Sequence, residues 1–120
     1  MSTDIKTPEW NSLIGDKSLI AADFWAPWCP YCVKLGPVFE SVAKDYQNIK
    51  FVKVNVQEES EIASKYGIQG IPVIKFFCED REIGEIVGYI PEGVLRKQVE
   101  QISKNAASCL RNTSLSVDGH

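Results

Sequence analysis

Cys29 and Cys32 stand two residues apart in the segment Trp28-Cys29-Pro30-Tyr31-Cys32. That spacing lets two thiols close into a disulfide or share a soft metal ion, and the surrounding elements decide between these. Ahead of the pair, Ser18 to Trp25 (SLIAADFW) is a short apolar run suited to a buried strand, with one carboxylate, Asp23, out of place inside it. Behind the pair, Leu35, Val38, Phe39, Val42, Ala43 and Tyr46 recur at the spacing of a helix with one face on a core. A strand therefore enters a helix across the cysteines, which puts Cys29 where unpaired backbone N–H groups and the helix dipole favour negative charge. The thiolate is the attacking species in disulfide exchange, so Cys29 is expected to be the exposed nucleophile and Cys32 the covered, resolving thiol.

The elements that must hold this pair follow in order. Pro37 lies within the helix and should bend it. Lys50 to Val56 (KFVKVNV) reads as a second strand, followed by a short helical segment with Ile62, Ala63 and Tyr66 on one side. This is a βαβ unit, and it implies parallel strands. Gly67-Ile68-Gln69-Gly70-Ile71-Pro72 breaks the helix, Val73 to Phe77 forms a third strand, and Glu79-Asp80-Arg81 turns the chain into an antiparallel partner, Glu82 to Val87. A last helix begins near Pro91 and carries Val94, Leu95, Val99 and Ile102 at helical spacing. From Asn105 the periodicity stops, so one domain over residues 1–104 and a disordered tail over 105–120 are expected.

Composition narrows the function. With 120 residues, 44% hydrophobic and 24% charged, the chain has the make-up of a single globular domain that needs no disulfide or metal merely to stay folded. A net charge of -3, a pI near 5.1 and scattered lysines argue against nucleic acid as a partner. The opening MSTDIKTPEWNSL has no basic start leading into an apolar run, and no stretch is apolar and long enough to span a bilayer. No membrane association is expected, and the cytoplasm is the expected compartment. Four cysteines, at 29, 32, 78 and 109, are sparser than in a secreted disulfide scaffold. Cys78, at the end of a strand, and Cys109, in the tail, show no second CxxC spacing; each reads as an ordinary thiol, and the alternative of a regulatory disulfide has no further support in the sequence. A metal or iron-sulfur module has only these four cysteines and the terminal His120 as soft ligands, which makes it the weaker reading. No cofactor fingerprint occurs, so electrons are expected from another protein or a small thiol.

Several separated motifs in one order resemble the thioredoxin family: Ala22-Asp23-Phe24-Trp25-Ala26-Pro27-Trp28-Cys29, Lys53-Val54-Asn55, Gly67-Ile68-Gln69-Gly70-Ile71-Pro72 and Val87-Gly88. The resemblance covers about residues 18–104. It implies an α/β thioredoxin fold, a central mixed sheet flanked by helices, acting as a monomer on protein disulfides without a cofactor beyond the Cys29-Cys32 disulfide. By the same resemblance Asp23 is buried behind the resolving thiol, with a raised pKa that lets it exchange a proton with Cys32, and Lys53 tempers that pKa. Pro72 matches the family's cis proline, and the Ile71 backbone is the implied docking strand for a substrate polypeptide. Trp28, Gly70, Ile71 and Gly88 carry over as a shallow apolar surface around Cys29, whereas Trp25 and Pro37 are structural.

One departure concerns the redox partner. Thioredoxins usually carry Gly-Pro between the cysteines, but here Pro30-Tyr31 stands there, the dipeptide familiar from glutaredoxins. Proline has no N–H, so its move from the third to the second motif position frees a Tyr31 amide to point at the Cys29 sulfur. A better stabilised thiolate favours the reduced form, and the expected potential lies between about -270 and about -200 mV. The donor is then either a protein such as thioredoxin reductase, or glutathione. The segments with which a glutaredoxin grips glutathione are not evident, so the glutathione-coupled reading ranks second.

Overall fold

The computed structural model describes residues 2–15 and 18–115, with side chains described as far as residue 106. The chain folds as β1 (Thr3–Asp4), α1 (Thr7–Ile14), β2 (Leu19–Trp25), α2 (Pro30–Ala43), β3 (Ile49–Asn55), α3 (Ser60–Lys65), β4 (Val73–Cys78), β5 (Arg81–Val87) and α4 (Glu92–Leu115). The strands form one mixed sheet in the order β1-β3-β2-β4-β5. β3 runs parallel to both β1 and β2, whereas β4 runs antiparallel to β2 and β5 to β4. The central strands β2 and β4 are buried on both faces, which is why their sequences read as near-continuous apolar runs.

Each face of the sheet has its own core. On one, Leu19 and Ala21 of β2 pack with Leu35, Phe39 and Val42 of α2 and with Leu95, Val99 and Ala106 of α4. On the other, Ile20, Ala22 and Phe24 meet Trp10 of α1, Ile62 of α3 and Phe77 of β4. Trp10 is fully buried, edge-on to Phe77 at 5.4 Å and Tyr66 at 5.6 Å, and its Nε1 donates to the Tyr66 hydroxyl at 3.3 Å. Neither β1 nor α1 is evident from periodicity, because one is two residues long and the other offers only Trp10, Leu13 and Ile14. Glu9 marks the helix start instead: its carboxylate accepts the Lys6 N–H at 2.9 Å, with Pro8 in the first turn.

The last helix differs from expectation. It continues beyond residue 104 to Leu115, where the sequence reading placed a disordered tail. Ile102 and Ala106 prolong the inward line of Leu95 and Val99 onto the core, and no proline or glycine interrupts the chain before Gly119. Residues 116–120 lie outside the described ones.

Gly84 of β5 marks the tightest point of this contact. A Cβ built on it would lie 3.0 Å from Cδ1 of Ile102 and 3.5 Å from Phe76. Gly84→Val is therefore expected to lower stability by about 1–3 kcal/mol through overpacking, measured by urea unfolding at constant m-value.

Lys75 of β4 is only 6% exposed, and its ammonium meets Glu82 at 2.9 Å and Glu85 at 3.7 Å, both on β5. The β4–β5 pairing is irregular between Phe76 and Phe77: Phe76 faces Gly84 and Phe77 faces Glu82, which leaves Ile83 as an extra residue on β5.

Candidate active site

The cysteines sit where β2 hands the chain to α2. Cys29 is the N-cap of α2, in extended backbone, and Pro30 occupies the first turn, where a missing N–H leaves no hydrogen bond unmade. Cys29 and Cys32 are joined in a disulfide. Cys29 Sγ accepts the Cys32 N–H at 3.2 Å. The donor is thus the amide one residue beyond Tyr31, because an N-cap side chain reaches the second or third helical N–H and here takes the third. Cys29 is also less open than the sequence reading expected, 6% exposed against 2% for Cys32. In the oxidised pair each sulfur shields the other, and the Ile71 carbonyl oxygen stands 3.9 Å from Cys29 Sγ.

Around this disulfide the structure gathers residues from three separate stretches of sequence. The Ile71-Pro72 peptide is cis. The Pro72 carbonyl accepts the Gly88 N–H at 2.8 Å, joining the loop before β4 to the end of β5. Gly88 has φ 89°, a left-handed backbone that side chains disfavour. Trp28 and Tyr31 are 66% and 62% exposed, Gly70 is exposed, and Ile71 and Gly88 are half-buried. Two large apolar faces beside a reactive sulfur offer a partner both area and an opening.

Asp23 is fully buried, and neither carboxylate oxygen has a hydrogen-bond partner among the described residues. Alternation along β2 places it on the face of Leu19 and Ala21, beneath α2. Burial pushes its pKa from 3.8 to about 7, against the opposing pull of the Lys53 charge. Lys53 stands opposite Asp23 in the parallel register, with its ammonium 4.4 Å from the centre of the Trp25 ring. A carboxyl poised between neutral and ionised near neutrality can both give and take a proton.

Two residues here escaped sequence reasoning. Lys34, in the first turns of α2, places its ammonium 4.7 Å over the Tyr89 ring, tying the helix to the segment after Gly88. Neither belongs to a recognisable motif, and only the folded chain brings them together. The reading of Cys78 as an ordinary thiol is corrected: it is held in a disulfide. The side chain of Cys109, and His120 altogether, lie outside the described residues. Among the described residues no group of three His, Cys, Asp or Glu side chains is placed to hold a metal.

Comparison with known proteins agrees with this geometry. The family model described as Thioredoxin matches residues 2–101. A thioredoxin of Mycoplasmoides gallisepticum is 38% identical over 89 residues, covering 74% of this chain and 89% of that protein. The chloroplastic M-type thioredoxin of Pisum sativum is 35% identical over 99 residues, covering 81% of this chain and 58% of that one. The crystal structure of Malassezia sympodialis thioredoxin superposes with a TM-score of 0.79 at 31% identity, over 86% of this chain and 91% of that one. A disulfide capping a helix, a buried carboxyl beneath it and this breadth of similarity lead to one conclusion: the chain belongs to the thioredoxin family of protein-disulfide oxidoreductases.

Proposed function

We propose that the protein works as a dithiol reductant of protein disulfides, drawing its electrons from a protein reductase in the cytoplasm. The observation that carries this reading is Cys29 at the N-cap of α2, its sulfur hydrogen-bonded to a helix amide. In the reduced protein the same amide and the helix dipole stabilise a Cys29 thiolate. That thiolate attacks one sulfur of a substrate disulfide; a mixed disulfide forms and the other substrate sulfur leaves as a thiolate, which takes a proton from water. Asp23 then takes the proton of Cys32, and the Cys32 thiolate attacks Cys29 Sγ. The second substrate sulfur departs as a thiolate and takes the proton held by Asp23, and Cys29-Cys32 closes. Substrate gains two electrons from the cysteine pair and two protons, one from water and one that began on Cys32. Trp28, Gly70, Ile71, Pro72 and Gly88 form the surface on which the polypeptide docks, while the Cys32 amide, in place of the Tyr31 amide expected from the sequence, stabilises the thiolate.

The test is an equilibrium titration in a glutathione redox buffer, using a Cys78→Ser, Cys109→Ser variant so that only the catalytic pair responds. The expected potential lies between about -270 and about -200 mV. In parallel, insulin reduction is driven either by NADPH with thioredoxin reductase or by glutathione with its own reductase. Turnover in the first system supports the proposal, and turnover confined to the second replaces it with a glutathione-coupled enzyme.

A further inference from the structure

The stretches that meet around Cys29 are almost without charge. Residues 24–39 carry one ionic side chain, Lys34, and residues 86–91 carry none. Residues 67–77 carry only Lys75, which is buried and paired with Glu82 and Glu85. Lys34 is thus the one exposed ion in these three stretches, among the exposed apolar side chains Trp28, Tyr31 and Val33. Glu58 and Glu59, the acids that follow β3, line a cavity with Trp25 and Lys53, and β3 lies on the opposite side of β2 from β4 and β5.

The fold holds this ion ready. Its ammonium stands 4.7 Å from the centre of the Tyr89 ring. That ring packs against the core of Leu35, Phe39 and Leu95, so the platform is fixed and the lysine gives up less rotamer freedom when a partner arrives. Among the described residues no carboxylate pairs with Lys34. Glu92, the acid nearest in sequence to Tyr89, is bonded to Arg96 and Ser41 instead. Tyr89 is also tied to the reacting atoms: its neighbour Gly88 donates to the Pro72 carbonyl at 2.8 Å, and the Ile71 carbonyl oxygen stands 3.9 Å from Cys29 Sγ. From Cys29 to Lys34 the helix rises about 7.5 Å, a distance that an extended polypeptide covers in about two or three residues. We propose that Lys34 selects among substrate disulfides, its ammonium binding a carboxylate that lies two or three residues from the substrate cysteine under attack. This rests on the site acting on protein disulfides and names the ones it prefers, those in acidic segments. A single cation in an apolar field sets orientation and preference more than raw affinity.

The test mixes the reduced full chain with two synthetic disulfide-linked peptides that differ only in the residues two and three positions from each cysteine, glutamate in one and lysine in the other. Loss of the peptide disulfide is followed by mass at low salt. The ratio of the two rates within one protein cancels any change in the reactivity of Cys29 itself. Wild type should favour the glutamate peptide roughly 5-fold, although the whole chain carries a net charge of -3. That preference should fade in about 0.5 M salt, and Lys34→Glu should invert it. Lys44→Glu changes the net charge equally at the exposed C-cap of α2, and should keep the wild-type ratio. It lies about 15 Å further along the helix. Equal rates for the two peptides in wild type, or a Lys44→Glu shift as large as that of Lys34→Glu, would overturn the preference and leave the reductant intact. Reduction of neither peptide would instead remove the reading of the site as a protein-disulfide reductant, and the preference with it.

Discussion

Cys29→Ser is expected to eliminate disulfide exchange, with insulin reduction falling to the uncatalysed rate. Cys32→Ser is expected to give a protein that attacks once and remains joined to its substrate. The asymmetry follows from the helix. Only Cys29 occupies the N-cap, where its sulfur receives a backbone N–H at 3.2 Å, whereas Cys32 lies one turn inside. A thiolate at Cys29 is stabilised by that amide and by the positive end of α2, and among the described residues no equivalent donor serves Cys32. The check is intact-protein mass after mixing each reduced variant with a disulfide-bonded polypeptide. A substrate adduct on Cys29→Ser with none on Cys32→Ser would reverse the two roles.

Asp23→Asn should alter both the pH profile of catalysis and that of stability. Mixed-disulfide resolution in the wild-type chain should accelerate as pH rises through about 7, where Asp23 ionises and can accept the Cys32 proton. The variant should lack that inflection and resolve roughly 10-fold to 100-fold more slowly at pH 8, as expected for loss of a positioned base. An unchanged profile would remove Asp23 from the mechanism.

The stability prediction has the opposite direction in pH. The folded pKa of about 7 lies above the ordinary 3.8, so between those values the folded chain keeps a proton that the unfolded chain releases. Stability falls as pH rises across that window and levels off above it. A shift of this size corresponds to on the order of 4 kcal/mol, at about 1.4 kcal/mol per pKa unit. Urea unfolding of oxidised wild type and Asp23→Asn should therefore show the variant gaining by about that amount, relative to wild type, between pH 4 and pH 8. A difference independent of pH would mean that Asp23 is not buried in its charged form.

Much of the fold lay in local patterns. The apolar runs of β2 and β4 and the helical spacing after Cys32 are signals a single segment carries by itself, because burial on a sheet or one helix face dictates them. The Cys29-Cys32 pair and the odd carboxylate Asp23 were visible for the same reason. What stayed hidden depends on contacts distant in sequence. β1 exists only because β3 offers it an edge at Val52 and Lys53, and the far turns of α4 follow a core line begun at Leu95. Lys34 over Tyr89, and the burial of Cys78, are products of assembly that no spacing announces.

The extra residue in β5 governs how faithfully the outer strand finds its place. Because Ile83 is bulged out of the pairing, Glu82 and Glu85, three positions apart, both come to the face of Lys75 instead of pointing to opposite sides. If β5 slid by one residue, it would turn its carboxylates away and strand an ammonium in a nearly dry site, a loss of several kcal/mol on the order expected for an orphaned buried charge. The ion pair therefore contributes little to how strongly the chain folds and a great deal to which alignment it adopts, serving as a proofreading device for the sheet's outer edge.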